Sequence, residues 1–302
     1  MNDFDLHIHS TFSDGQHSIK ELLTMADKNN LNTISVTDHD TIDGVEEAIA
    51  HGLELNIRVI PGMEISAEDE NEKGIHLLGY GIDHKNQNLL KCLREYQTKR
   101  IERAKKMVAY VQELGFVIDW DDVIKLANGS SITSPHIAKT VLARKENTNK
   151  LNGISDYGYF IETYLIDKTK YDAGPDKLNI KDAIELIHQA NGVSVWAHPV
   201  LDYNEDYLAL EQSLQSLIKL GLDGIEIFMP AHTENDTHFL QTMAEKYNLL
   251  ITAGSDFHES VQRPADKRGL YHARTVGEYE TYDDDTVKHI ISRLDRTVAK
   301  LK

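Results

Sequence analysis

The 302-residue chain is acidic, with a formal net charge of −17 at pH 7, and 40% of its residues are hydrophobic. This balance is typical of a globular protein with a large core, and the acidity argues against a general nucleic-acid binder with a basic face. No stretch reaches the roughly 18 apolar residues of a membrane span, and the first ten residues lack the segments of a secretory signal. With Cys92 as the only cysteine, we expect a cytoplasmic protein.

The first 84 residues alternate short β-rich runs with amphipathic helical runs. Strands are predicted at 5–9, 33–37, 58–66 and 75–82, and helices near 19–26 and over 42–55. From residue 85 the pattern becomes helical, with runs at 88–114, 120–127 and 135–143. We interpret residues 85–175 as an inserted, mainly helical subdomain.

The alternation resumes after residue 176. Helices are predicted over 180–190, 208–220, 237–247 and near 284–294, and strands over 193–197, 224–228 and 250–253. About seven strands joined by helices indicate a parallel α/β sheet or barrel, formed by residues 1–84 and 176–302.

The unusual polar residues fall at strand ends. They are His7, His9 and Asp14, then Asp38, His39 and Asp40, then Glu64, His76, His198, Glu226, Asp256 and His258. In a β/α barrel the carboxyl ends of the strands meet at one rim, where ligands and catalysis reside. We therefore expect these residues to lie close together.

Two histidines at i and i+2 of a strand, such as His7 and His9, point to the same side and can reach one ion. A set of histidines and carboxylates without thiolates suits Zn²⁺, Mn²⁺ or Fe²⁺. The set is too large for one tetrahedral ion, so two or three divalent ions are predicted. Clustered ions bind a phosphoryl group, supply hydroxide at neutral pH and stabilise the leaving oxygen.

Each residue taken alone has an ordinary structural explanation. Asp38 and Asp40 are placed to cap helices, Glu226 fits a buried structural acid, and His76 fits a core histidine. Unrelated structural causes would not all select strand ends, so the joint pattern favours the metal site.

Six motifs resemble, in order, those of the PHP family (polymerase and histidinol phosphatase). They are DLHIHSTFSDG at 5–15, VTDHDTIDG at 36–44, PGMEIS at 61–66, HLLGYGID at 76–83, WAHP at 196–199 and GSDFH at 254–258. The resemblance implies a distorted (β/α)₇ TIM-like barrel and a trinuclear metal centre. The implied ligands are His7, His9, Asp14, His39, Glu64, His76, His198, Asp256 and His258. It also implies that Glu64 bridges ions and that Asp38 and Asp40 orient His39 or a water.

The chain further resembles the stand-alone branch of this family, which carries a helical insertion. Members of that branch hydrolyse the 3′-phosphate of nucleoside 3′,5′-bisphosphates, or trim RNA or short oligonucleotides from the 5′ end. Here the insertion carries SPHIAK at 134–139, with Ser134 where many relatives have arginine, and DKTKYD at 167–172, where relatives are often glycine-rich. The predicted substrate contacts are Ser134, His136, Lys168, Lys170 and His232.

These contacts have structural alternatives, because His136 is placed to cap a helix and the lysines to be solvated. The cationic run between Arg94 and Lys106 is interpreted as a solvated helix face, with contact to an anionic substrate as the alternative.

The predicted activity is metal-dependent hydrolysis of a phosphomonoester of a nucleotide by a metal-bound hydroxide, with His198, Asp256 and Asp38 as catalytic residues. Alternatives are a 5′-3′ exonuclease on RNA or short oligonucleotides, a small-metabolite phosphatase, an amidohydrolase and a non-catalytic PHP module. The expected partner is a small phosphorylated substrate, without a membrane or an obligatory protein partner.

Overall fold

The computed structural model describes residues 2–69, 73–127, 132–165, 167, 177–203, 206–260, 272–281 and 287–301. Within these ranges the chain forms a mixed α/β fold. Among the helices described there, none is long and apolar enough to cross a membrane.

The strands form two sheets. The strands are β1 Phe4–Ile8, β2 Thr33–Val36, β3 Arg58–Val59, β4 Gly62–Glu68, β5 Gly74–Tyr80, β6 Leu178–Asn179, β7 Val193–Trp196, β8 Gly224–Phe228 and β9 Leu250–Ala253. One sheet has the order β1-β2-β3 and the other β6-β4-β5-β7-β8-β9. Every residue of β1, β2, β8 and β9 is buried, as expected for strands covered on both faces.

The expectation of an all-parallel arrangement is wrong for β5, which pairs antiparallel with both β4 and β7. Only residues 69–73 connect β4 to β5, and a parallel crossover needs a dozen residues or more. Because β5 runs in the opposite direction, its first residues lie beside the last residues of β4, and His76 pairs with Ser66. His76 therefore reaches the edge where the neighbouring strands end.

The predicted strand at 58–66 is two strands, β3 and β4, separated at Ile60 and Pro61. Pro61 has no N–H to continue a ladder, so the chain leaves the first sheet there. The break places Glu64 in β4, beside the end of β2.

The two sheets meet at two bridges near their carboxyl ends. Ile8 bridges to Phe257, just after β9, and His39 bridges to Glu64. The Asp40 N–H donates to the Glu64 carbonyl at 2.7 Å. This arrangement is consistent with a TIM-like barrel, although the ladder is not closed in the described part of the chain.

The helices largely follow the predicted runs. They are α1 Ile19–Lys28, α2 Val45–Leu55, α3 Gln87–Glu113, α4 Trp120–Ala127, α5 Ser134–Ala143, α6 Thr148–Leu151, α7 Tyr157–Phe160, α8 Ile180–Gln189, α9 Tyr207–Lys219, α10 Glu234–Tyr247 and α11 Ile290–Leu301. α1 begins where predicted because Ser18 and Glu21 form a capping box. The last described helix covers Ile290–Leu301, and the beginning of the run predicted near 284–294 falls on residues 282–286, which lie outside the described ranges.

The helices between β5 and β6 have a hydrophobic cluster of their own. The first turns of α3 pack onto the sheets through Leu89 and Leu93. Its later turns join α4, α5 and α7 around Phe116 and Phe160. α3 thus connects two cores and carries its middle turns past the carboxyl ends of the strands.

Asn147 connects three segments of this second cluster. Its side chain accepts a hydrogen bond from the Val117 N–H at 2.7 Å and donates to the carbonyls of Val117 and Val141, both at 2.8 Å. Asn147→Ala would leave these buried groups unpaired, and we expect a loss of about 2–4 kcal/mol in the free energy of unfolding. Denaturant titration measures the loss, and the exposed neighbour substitution Glu146→Ala is the control. A loss no larger than that of the control would contradict the role of Asn147.

Candidate metal centre

The carboxylate of Glu64 is the centre of the cluster of histidines. One oxygen, Oε2, lies 3.3 Å from His7 and 3.1 Å from both His9 and His39. The other, Oε1, lies 2.9 Å from His76 and 3.2 Å from His198. Glu64 is fully buried, and five imidazoles from four segments converge on it, with His7 in β1 and His9 directly after it.

The nine predicted ligands lie together at this edge, eight of them in three overlapping groups whose ligand atoms are within 4.8 Å of one another. The groups are His9, Asp14, His39 and His258; His7, His9, Glu64 and Asp256; and His39, Glu64 and His76. The ninth residue, His198, contacts Glu64 and lies 3.2 Å from His76. Shared donors of this kind are typical of adjacent ions bridged by carboxylates.

Unpartnered donor atoms show that the cluster fits divalent metal ions. Both ring nitrogens of His9 and one oxygen of Asp14 are buried without a hydrogen bond in the described part of the chain. His9 Nδ1 and Asp14 Oδ1 are 3.9 Å apart, too far for a hydrogen bond but suited to two ligands of one ion. Buried polar groups are otherwise almost always paired, so these atoms fit a bound cation.

The centre is open on one side. The side chains of His76 and His258 are 30% and 21% exposed, whereas those of His7, His9 and Glu64 are fully buried. A substrate therefore has access from the side of His76 and His258.

Backbone strain is concentrated at the same edge. Asp40, His198 and Asp256 have φ values of +54°, +32° and +50°, a region that residues with a Cβ rarely adopt. The other non-glycine residues with positive φ in the described ranges are asparagines just after helices. Strained positions of this kind cluster at functional sites.

The charges of the cluster stabilise one another. Burial alone would lower the pKa of His9, but Asp256 and Glu64 outweigh it and raise the pKa to about 10. Burial likewise opposes protonation of His198, and Glu64 raises its pKa to about 9. Burial would raise the pKa of Glu64, but His39, His76 and His7 hold it well below its usual range.

Asp38 orients the loop that carries Asp14. Its carboxylate accepts hydrogen bonds from the Ser10 N–H and hydroxyl at 2.7 and 2.6 Å, and from the Ser13 hydroxyl at 2.6 Å. Both oxygens of Asp38 are therefore engaged within the protein.

Asp40 connects the centre to the inserted helices. It accepts from the Ser66 N–H at 2.9 Å and forms an ion pair with Arg100 of α3. The Arg100 side chain is only 11% exposed, so the interpretation of the cationic run as a solvated face is wrong at this position. Lys139 of α5 lies 3.5 Å from Glu259, next to His258.

The predicted substrate contacts are only partly at the centre. His136 caps α5, with its Nδ1 accepting from the Thr133 N–H at 3.0 Å, and its ring also contacts the Ser13 backbone. Ser134 is the first, half-buried residue of α5. His232 is buried after β8, with Nδ1 2.7 Å from the Ile227 carbonyl. Lys168 and Lys170 lie outside the described residues.

Two acids beside the cluster were not given a role from the sequence. Glu226 contacts His7 at 2.9 Å, and its position within an apolar strand was the available signal. Asp202 accepts from the Trp196 indole at 3.3 Å; burial raises its pKa, against the opposing effect of His198 and His76. Nothing in the local sequence distinguishes Asp202 from a solvated loop acid.

We expect metal affinity to increase with pH. An ion must displace the protons of His9 and His198, whose pKa values in the metal-free cluster are raised to about 10 and about 9, so binding releases protons. Calorimetry of Zn²⁺ binding at about pH 6.5 and about pH 8.5, in buffers of different ionisation enthalpy, measures the affinity and the number of protons released. Affinity that is independent of pH, without proton release, would contradict this account of the centre.

Comparisons with known proteins agree with this geometry. A family model for the PHP domain matches residues 5–284. A 5′-3′ exoribonuclease from Haemophilus influenzae is 31% identical over 255 residues, covering 84% of this chain and 89% of the relative. A 3′,5′-nucleoside bisphosphate phosphatase from Chromobacterium violaceum is 27% identical over 259 residues, covering 85% and 88%.

A solved structure described as a candidate metal-dependent phosphoesterase, from Bifidobacterium adolescentis, superimposes with a TM-score of 0.77 at 28% identity. The superposition covers 97% of this chain and 96% of that one. The motif order, the clustered donors and these matches agree. The chain belongs to the PHP family and is a metal-dependent phosphoester hydrolase.

Proposed function

We propose that this enzyme hydrolyses a phosphomonoester of a nucleotide, such as a nucleoside 3′,5′-bisphosphate, at a centre of two or three divalent ions. The proposed ions are Mn²⁺, Fe²⁺ or Zn²⁺, which suit imidazole and carboxylate donors without thiolates. The framework would be a distorted (β/α)₇ barrel from 1–84 and 176–302, with residues 85–175 as a cap. With one free cysteine, Cys92, a cytoplasmic location is part of the proposal.

The residues that would hold the ions are the nine clustered donors. They are His7, His9, Asp14, His39, Glu64, His76, His198, Asp256 and His258. Divalent ions bound there supply charge neutralisation for phosphoryl oxygens and a water of lowered pKa. The placement of the Glu64 carboxylate supports a bridging role, because its two oxygens face different sets of histidines.

The predicted catalytic residues have different positions. Asp256 Oδ1 lies 3.3 Å from His7 and 3.2 Å from His9, which supports a role in holding an ion that faces the substrate. His198 Nε2 faces Glu64, while its Nδ1 is buried without a hydrogen bond in the described part of the chain; we assign His198 to holding an ion through Nε2. Asp38 is engaged by Ser10 and Ser13, so we assign it to orienting the Asp14 loop.

Two cationic side chains of the cap support the proposal that the substrate is an extended anion. Arg100 and Lys139 come from α3 and α5 and lie against acids directly next to His39 and His258. In a chain of net charge −17, cations beside the centre favour a substrate with negative charge beyond the scissile phosphate.

The alternative is 5′-3′ trimming of RNA or short oligonucleotides, favoured by the exoribonuclease that is 31% identical to this chain. A small-metabolite phosphatase has less support, because a compact substrate would not need cations on both α3 and α5.

Activity should depend on divalent metal and differ between substrates. Chelation should abolish phosphate release, and Mn²⁺ should restore it. With reconstituted protein, we expect a nucleoside 3′,5′-bisphosphate to be hydrolysed faster than a mononucleotide. Release of inorganic phosphate measures the metal dependence and the rates on the bisphosphate and the mononucleotide. A 5′-labelled oligonucleotide assayed in parallel measures nucleotide release. Faster nucleotide release would overturn the phosphomonoesterase proposal in favour of the exonuclease, and full activity after chelation would contradict the metal mechanism.

Arg100 should contribute to substrate binding. Arg100→Gln removes a nearly buried cation paired with Asp40 beside the centre, and we expect KM for the bisphosphate to rise about tenfold or more, with a smaller change for a mononucleotide. Steady-state kinetics separate KM from kcat. Arg94→Gln, on the exposed part of the same helix, is the matched control. Equal effects of the two substitutions would show that Arg100 has no specific role in binding.

A further inference from the structure

Glu226 contacts two of the proposed ligands at once. It lies in the middle of β8 and is fully buried. Its Oε1 lies 2.9 Å from His7 Nδ1, and its Oε2 accepts from the His198 N–H at 3.0 Å. These two ligands come from β1 and from the end of β7, so one side chain of β8 connects three strands.

The contact with His7 determines which ring nitrogen is available to an ion. A neutral histidine that binds an ion has a single ring hydrogen, and because a carboxylate oxygen accepts hydrogen bonds, the contact with Glu226 favours that hydrogen on Nδ1 of His7. The lone pair is then on Nε2, which lies 3.3 Å from both Glu64 and Asp256. Glu226 thus directs the coordinating atom toward the two carboxylates that would share the ion.

The contact with His198 restrains the backbone. His198 has a φ of +32°, a conformation that an ordinary residue adopts only when its surroundings impose it. The hydrogen bond from its N–H to Glu226 fixes the peptide plane just before the strained residue. The imidazole is thereby held 3.2 Å from Glu64 Oε1.

We propose that Glu226 is a positioning residue that sets the tautomer of His7 and the backbone of His198 together. The inference rests on the proposed metal centre and extends it to a residue outside the nine ligands. Mutation of a carboxylate that orients a ligating histidine typically lowers metal affinity 10- to 100-fold. A buried acid with a purely structural role would instead affect the stability of the metal-free protein and leave affinity unchanged.

Glutamine is the sharpest substitution at this position. Glu226→Gln keeps the size of the side chain but provides one acceptor oxygen in place of two. In either orientation the amide NH₂ replaces an oxygen that faces His7 Nδ1, Oε1 at 2.9 Å or Oε2 at 3.2 Å, and only the orientation that keeps the oxygen at the position of Oε2 retains the contact with the His198 N–H. Ile227→Val, a conservative change at the next buried residue of the same strand, is the control for packing.

The test measures Mn²⁺ affinity by calorimetry and ions per chain by elemental analysis, on stripped and reloaded protein. Thermal unfolding of the stripped proteins is followed in parallel. We expect E226Q to lower the affinity of one site about 10- to 100-fold and to retain the ion of the group His9, Asp14, His39 and His258. Its metal-free unfolding midpoint should stay close to that of Ile227→Val.

Wild-type affinity and stoichiometry in E226Q, with loss of an ion in His7→Ala, would overturn the positioning role and leave the metal centre intact. Equal weakening in E226Q and Ile227→Val would overturn it too, because packing would then explain the effect. If the wild-type protein takes up no Mn²⁺, Zn²⁺ or Fe²⁺, the proposed centre itself fails, which is a different result.

Discussion

The attraction between the buried carboxylate of Glu64 and the imidazoles around it is the interaction on which the rest of the site depends. A lone carboxylate is costly to bury, yet Glu64 has no exposed surface. Its charge is balanced by imidazoles from β1, β5 and the ends of β2 and β7. Any of these strands that moved would leave charge uncompensated in the interior, so the sheet edge and the site stabilise each other.

Around this centre, buried acids restrain the segments that carry the donors. Asp38 holds the loop of Asp14, and Glu226 contacts His7 and His198. Asp5 accepts from the Ser255 N–H and hydroxyl, at 2.9 and 2.5 Å, beside Asp256. Each acid hydrogen-bonds to a strained or irregular segment that has no ladder of its own. Rigid placement of ligands by such partners is what a preorganised site requires.

Much of the fold and most of the donor set were predictable from sequence, because strand ends and helix caps leave local signals. The starts of α1 and β1 and the converging histidines follow from patterns within a few residues. The antiparallel course of β5 does not follow from such local patterns, because it depends on the short connection from β4. The Arg100–Asp40 contact was also missed, because residues 60 positions apart meet only through the packing of α3. We assign Asp38 to positioning, and its partners Ser10 and Ser13 meet it only through the tertiary structure.

The contact of Asp5 with Ser255 spans 250 residues, and it has a consequence for folding. Glu64 and His76 are placed by a hairpin of neighbouring strands, whose formation closes only a short loop. The donors on β1 and after β9 meet only when the two ends of the chain have come together, a contact of very high sequence separation. The donor set is therefore complete only when β1 and the segment after β9 have come together, so binding of the proposed ions would require both segments to be in their native positions.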